Sequence, residues 1–191
     1  MTNTTTPSPV RNGVDTAAMY ATLDAITATP ELGAFRFRAA NRWLGGAHNR
    51  STIQGFYGAG REDDSRAEAF TVDAGEPAVL LGTDTGPNPA EHLLHALAAC
   101  LTTTLVYVAA ARKVPLHEVE STLEGEMDVR GCLGLSDDVR NGFTRIRVTF
   151  RISGDASEEK LREVVERAQA RSAVFDMITN GVPVDVGVVT G

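Results

Sequence analysis

The stretch Gly86–Val114, GPNPAEHLLHALAACLTTTLVYVAAARKV, decides the fold. It opens with a helix-start signal. Asn88 is a good N-cap, Pro89 suits the first helical position, and Glu91 stands three residues after the cap. That spacing is a capping box with Asn in the Ser/Thr place. From Leu93 to Ala110 the run carries no charge beyond what His95 gains on protonation. Arg112 and Lys113 then supply cations suited to a helix C-terminus, and Pro115 stops the helix. About two dozen residues at ~1.5 Å each predict a rod of roughly 35 Å. Near its middle sits Cys100.

An uncharged run of this length would permit a membrane span. The three consecutive threonines at 102–104 and the histidines at 92 and 95 make it weakly hydrophobic, and no other such run exists. The expectation is therefore a buried helix, with a sheet on one face and something else on the other, such as a second subunit. The whole chain agrees with a globular protein outside the membrane: 191 residues, 42% hydrophobic and 23% charged. A net charge of −7 argues against nucleic acid as a partner. Two cysteines do not make a disulfide framework, and no N-terminal segment reads as a signal peptide. A cytoplasmic location is expected.

Outward from the central helix, hydrophobic periodicity sets the plan. Residues 1–13 are polar and read as a disordered tail. Residues 14–34 read as a helical extension, with Asp15 as cap and Met19, Leu23 and Ile26 on one face. From Phe35 the period is two: Phe35, Phe37, Ala39 and Trp43 alternate with Arg36, Arg38 and Arg42, a half-buried strand. Gly45-Gly46 is a turn signal, and residues 49–57 complete a hairpin. Residues 58–67 read as a charged loop and Phe70–Val72 as a third strand. After Pro115 comes a long strand whose wet face carries Glu118, Glu120, Glu124 and Glu126. A second strand presents Arg145, Arg147 and Arg151, a basic row fit to pair with the acidic one. Asp155 and Glu158 open an amphipathic helix carrying Leu161, Val164, Val165 and Ala168. One or two further helical turns over 172–180 follow, with Gly181 after them, and Val182, Val184, Val186 and Val188 predict a last strand. The fold class is α+β, with residues 35–191 as one domain around the long helix.

Cys100 is the first candidate for chemistry. A cysteine in an Ala-rich helix is usually small apolar filler. A thiol in mid-helix gains little from its own helix dipole, so reactivity needs a positive group from another segment. Arg42, Arg50 and Arg61 are the obvious sources. Glu91 fits the capping box and could also hold an arginine. His92 and His95 have a metal-compatible spacing, but no further ligand completes a set, so no metal is expected. No phosphate loop, nucleophile elbow or dinucleotide fingerprint is present, and no cofactor is expected.

The segment Asn88–Cys100, NPAEHLLHALAAC, resembles the central helix of the OsmC/Ohr family, whose pattern is N-P-E-x-L followed by A-A-C. Arg171–Val184, RSAVFDMITNGVPV, is similar to that family's second active-site stretch. The resemblance covers roughly Phe35 to the end. It implies an intertwined homodimer with the long helices at its centre, packed against antiparallel sheets. It also implies thiol-dependent reduction of organic hydroperoxides. Cys100 matches the peroxidatic cysteine, which becomes a sulfenic acid. Arg50, or next Arg42, matches the arginine that lowers the thiol pKa. Glu91 matches the glutamate that orients it, one position late, because Ala90 stands in the usual place. That step turns a helical side chain by ~100°. The resolving cysteine's place is taken by Ser172, which with Phe175 would line the substrate side.

The expected function is a one-cysteine peroxidase taking a hydroperoxide and an external thiol reductant. Two alternatives remain at this point. One is a non-enzymatic, stress-related protein of the same fold that binds a small apolar ligand in the dimer cleft. The other is a redox sensor in which Cys100 pairs with Cys132.

Overall fold

The computed structural model describes residues 9–191. The part of the expected tail at 1–8 lies outside them. The rest of that tail is not a tail. Val10–Arg11 (β1) and Val14–Asp15 (β2) form a hairpin, because Asn12 and Gly13 both take the positive φ that a tight two-residue turn demands.

The chain divides into two compact units. Among the described residues, the first holds Pro9 and 15–93, the second Val10–Val14 and 94–191. In the first unit, Thr16–Ala28 (α1) is capped by Asp15, which accepts the Ala18 N–H at 2.9 Å. Ala40–Gly45 (β3), His48–Ile53 (β4) and Phe70–Ala74 (β7) form an antiparallel sheet in the order β3-β4-β7. The expected charged loop, 58–67, holds the turn and second strand of a further hairpin, Phe56–Gly58 (β5) with Arg61–Asp63 (β6). The aromatic row does not become the predicted half-buried face. Phe37 and Trp43 are 73% and 72% exposed. Alternation shows which side chains share a face; it does not supply something to cover them.

The second unit contains the core. Pro89–Ala111 (α2) enters it at Leu94 and buries Leu97, Leu101, Leu105 and Val108, spaced i, i+4, i+8, i+11 along one stripe. α2 is also the one described helix long and apolar enough to cross a membrane by length and composition. About a third of its most apolar window, 33%, is buried inside the chain. Within the single chain the helix is covered along this one stripe. The helix ends in a Schellman motif: Val114 N–H reaches the Ala109 carbonyl at 2.9 Å, and Lys113 N–H the Ala110 carbonyl at 3.2 Å. Lys113 takes the left-handed position, φ 58°, that glycine usually fills. Asn12 clasps the exit from α2, donating to the Val114 carbonyl and accepting the Leu116 N–H.

Leu116–Glu126 (β8) and Arg145–Gly154 (β9) pair in the predicted way. Glu120 faces Arg151, Glu124 faces Arg147 and Glu126 faces Arg145. Arg147 bonds Glu126 at 2.5 Å and Glu124 at 3.3 Å. Between these strands lies a short helix, Val129–Cys132 (α3). Glu158–Gln169 (α4) lays Leu161, Val164 and Ala168 on the α2 stripe. Its cap is Ser157 rather than Asp155, whose carboxylate pairs with His117. Ala173–Asn180 (α5) follows, closed by Gly181 at φ 71°. No final strand forms among the described residues: Val182, Val184, Val186 and Val188 are unpaired and 56–86% exposed. A strand exists only against a neighbour, and none of the described residues pairs with this one.

Glu163 on α4 gathers three cations: Arg112 from the end of α2, Lys160 and Arg167. Their hydrogen bonds, from Lys160 first, hold its carboxyl down from 4.5 to about 2. A depressed carboxylate stabilises the fold above its unfolded pKa, and the contribution fades as pH falls through the folded value. The thermal-stability difference between wild type and Glu163→Gln should therefore be full near neutrality and vanish between pH 4.5 and about 2. Denaturant unfolding should show Lys113→Gly more stable than wild type by roughly 0.5–1 kcal/mol, since the substitution relieves a left-handed residue.

Candidate active site

Cys100 and Ser172 lie 72 positions apart in sequence and meet in the second unit. Ser172 Oγ stands 3.1 Å from Cys100 Sγ. The serine is the N-cap of α5 and is 2% exposed. Its Oγ accepts the Phe175 N–H at 3.2 Å, so its own proton is free to be donated to sulfur. The Asp176 N–H makes the first bond inside the helix, to the Ser172 carbonyl at 3.0 Å. Two orphan donors remain in the first turn, the N–H groups of Ala173 and Val174, at the same helix start as the serine.

Burial is the largest single influence on this thiol and pushes its pKa up. Hydrogen bonds from the Ser172 hydroxyl, the Val174 N–H, the Thr104 hydroxyl and the Ala173 N–H act the other way and leave the thiol below its ordinary value. The Thr104 hydroxyl also donates to the Cys100 carbonyl, at 2.8 Å. The positive group that a mid-helix thiol needs is thus partly supplied by the N-terminus of a second helix. The resemblance places Ser172 near Cys100 as a hydrogen-bonding group, which the 3.1 Å contact matches; the helix start behind the serine was not among the expectations. The available signal was a serine directly before a helix-compatible run, which also reads as a cap.

Of the other expected residues, Glu91 and Arg50 sit in the first unit. Glu91 completes the capping box: its carboxylate accepts the Asn88 N–H, and its own N–H donates to Asn88 Oδ1, both at 2.8 Å. Arg50 lies on β4 and is paired with Asp73 of β7. His92 meets the Asp73 carbonyl at 3.0 Å, and among the described residues no group of His, Cys, Asp and Glu is disposed to hold a metal. Phe175 is half-buried in the first turn of α5. Both cysteines are free thiols, with Cys132 exposed.

A family model described as OsmC-like protein matches residues 82–187, more than half of the chain. The chain belongs to the OsmC-like family. Solved structures agree on the fold. An OsmC-like protein from Mycoplasma pneumoniae superposes with a TM-score of 0.59 at 17% identity, covering 81% of this chain and 96% of that one. An OsmC-like protein of unknown function from Vibrio cholerae gives 0.54 at 13%, covering 75% and 93%. One from Legionella pneumophila, named as an organic hydroperoxide resistance protein and predicted redox protein, gives 0.51 at 17%, covering 76% and 91%. No curated protein matches. In this OsmC-like chain the central helix, its capping box and Cys100 all fall within the matched residues.

Removing the serine donor should raise the thiol pKa. In a Cys132→Ser background, where Cys100 alone reports, Ser172→Ala should move the pH profile of iodoacetamide alkylation upward by about half a unit to one unit. Loss of the cap should also lower stability by ~1 kcal/mol.

Proposed function

We propose that this chain is a one-cysteine thiol peroxidase that reduces organic hydroperoxides, with Cys100 as its nucleophile. The observation that carries the reading is the contact of Cys100 with Ser172 at the start of α5, which favours a thiolate. Family membership supports it, as does the name of the Legionella relative.

In this reading the thiolate attacks one oxygen of the peroxide. The O–O bond breaks, sulfur becomes a sulfenic acid, and the alkoxide takes a proton and leaves as the alcohol. An external thiol then displaces water from the sulfenic acid to give a mixed disulfide. A second thiol releases Cys100 and carries the disulfide away. Ser172 donates to the sulfur, and Phe175 offers an apolar wall to the alkyl group of the peroxide.

A homodimer in the cytoplasm completes the proposal. Its support is apolar surface left without cover, including Phe37, Trp43 and Phe70 in one unit and Val184 and Val186 in the other. Two unpaired thiols suit a reducing compartment.

Consumption of cumene hydroperoxide with a series of thiol reductants tests the chemistry. Cys100→Ser should fall to the uncatalysed rate; equal rates in the two proteins would reject Cys100 as nucleophile. A gain-of-function variant tests the missing step. With Ser172 Oγ at 3.1 Å from Sγ, Ser172→Cys in the Cys132→Ser background should form an intramolecular disulfide on peroxide treatment. Intact mass spectrometry would read it as the loss of two hydrogens.

A further inference from the structure

The register of the β3-β4-β7 sheet sets two arginines directly against each other. Arg42 of β3 stands across from Arg50 of β4, and Asp73 of β7 stands across from Arg50 on its other side. All three belong to the first unit. Like charges opposed across a ladder repel, and Asp73 answers only one of them. Its carboxylate accepts the Arg50 Nε–H into Oδ1 at 2.8 Å and an Nη2–H into Oδ2 at 3.1 Å. Two parallel bonds of this kind fix the plane of a guanidinium as well as its position.

Asp73 is itself anchored. His48 Nε2 meets its Oδ1 at 2.9 Å, and His92 Nε2 meets its carbonyl oxygen at 3.0 Å. Gly86 passes that carbonyl so closely that a Cβ at Gly86 would lie 2.6 Å from the oxygen. Arg50 is thus held in one plane, and its remaining N–H groups find no acceptor among the described residues. Arg42 has neither a hydrogen-bond nor an ion-pair partner among those residues. Both arginines line an open cavity of about 430 Å³, with Ala40, Asn41, Leu44 and Thr52. Ala40 and Thr52 face each other two residues along the same strands, so they form its floor beside the arginine pair. The volume is that of a small-molecule site.

We propose that this cavity binds a small oxyanion, a carboxylate or phosphate group, between Arg42 and Arg50. An anion held there cancels the repulsion that the register builds in. The planar fork of an arginine matches two oxygens of either group. Arg50 is the fork oriented beforehand by Asp73, so little freedom is lost when it binds. Arg42 is the cation opposite with no other claim on it. Thr52 adds a hydroxyl from the floor, and Ala40 and Leu44 offer an apolar side to a short organic stem. The site lies wholly within the first unit and stands apart from the thiol chemistry proposed above.

Isothermal titration calorimetry on the full chain tests the site, with low ionic strength held constant by sodium chloride. The probes are inorganic phosphate, acetate and hexanoate. The expected result is saturable binding of at least one probe at a single site. Arg42→Gln and Arg50→Gln should each weaken it about tenfold or more, the loss of a charge-assisted hydrogen bond. Arg61→Gln, on β6 of the same unit and outside the cavity, should leave the affinity unchanged. Hexanoate binding more tightly than acetate or phosphate assigns an organic carboxylate resting on Ala40 and Leu44; phosphate binding most tightly assigns a phosphate group. Arg42→Gln breaks no contact within the described residues and relieves a cross-strand repulsion, so without ligand it should melt no lower than wild type. Its affinity therefore decides the matter even if Arg50→Gln fails to fold. No saturable binding of any of these probes overturns the site, as does an Arg42→Gln affinity within about twofold of wild type.

Discussion

A helix with no fixed charge between Glu91 and Arg112 has to be covered, and that constraint governs the second unit. Leu97, Leu101, Leu105 and Val108 make a stripe, and α4 answers it with Leu161, Val164 and Ala168. The two-stranded sheet adds Val119, Phe150 and Ile152. Cys100 sits one position before Leu101, beside the buried stripe and not in it. It therefore keeps partial access to solvent while packing against the start of α5. The same burial that seats the thiol also opposes its ionisation.

That opposition explains the architecture around the sulfur. A thiolate in a partly buried place needs donors, and it finds them in a helix that has donors to spare. Every α-helix begins with N–H groups that no carbonyl inside it can reach. In α5 one of them is taken by the Ser172 hydroxyl, and those of Ala173 and Val174 help to hold the Cys100 thiol below its ordinary pKa. Ser172 also gives its own proton to the sulfur. Capping a helix and supporting a thiolate become one act by one side chain.

How much of this was legible depended on the distance along the chain over which each signal acts. The capping box of Asn88 and Glu91 was readable because its partners are three residues apart. The acidic and basic rows of β8 and β9 were readable because alternation assigns faces and charge pairs them. Ser157 was passed over for Asp155 because both are good caps and the choice is made by the path of the chain. The valines at 182–188 carry a strand's pattern, yet a strand also needs a partner edge. Asp73 was invisible as a site residue. Its meaning depends on the register that sets it across from Arg50, and one step of slip would turn it to the other face.

The sequence by itself determined the long helix, its cap, the position of its one thiol and the family to which the pattern points. These are local properties, set by the spacing of side chains within a few turns. Tertiary structure decided the state of that thiol and the carboxylate on Arg50. Hydrogen bonds reach barely 3 Å, and the partners come from far along the chain: 72 residues for Ser172 and Cys100, 23 for Arg50 and Asp73. Only the folded chain brings such groups within that reach.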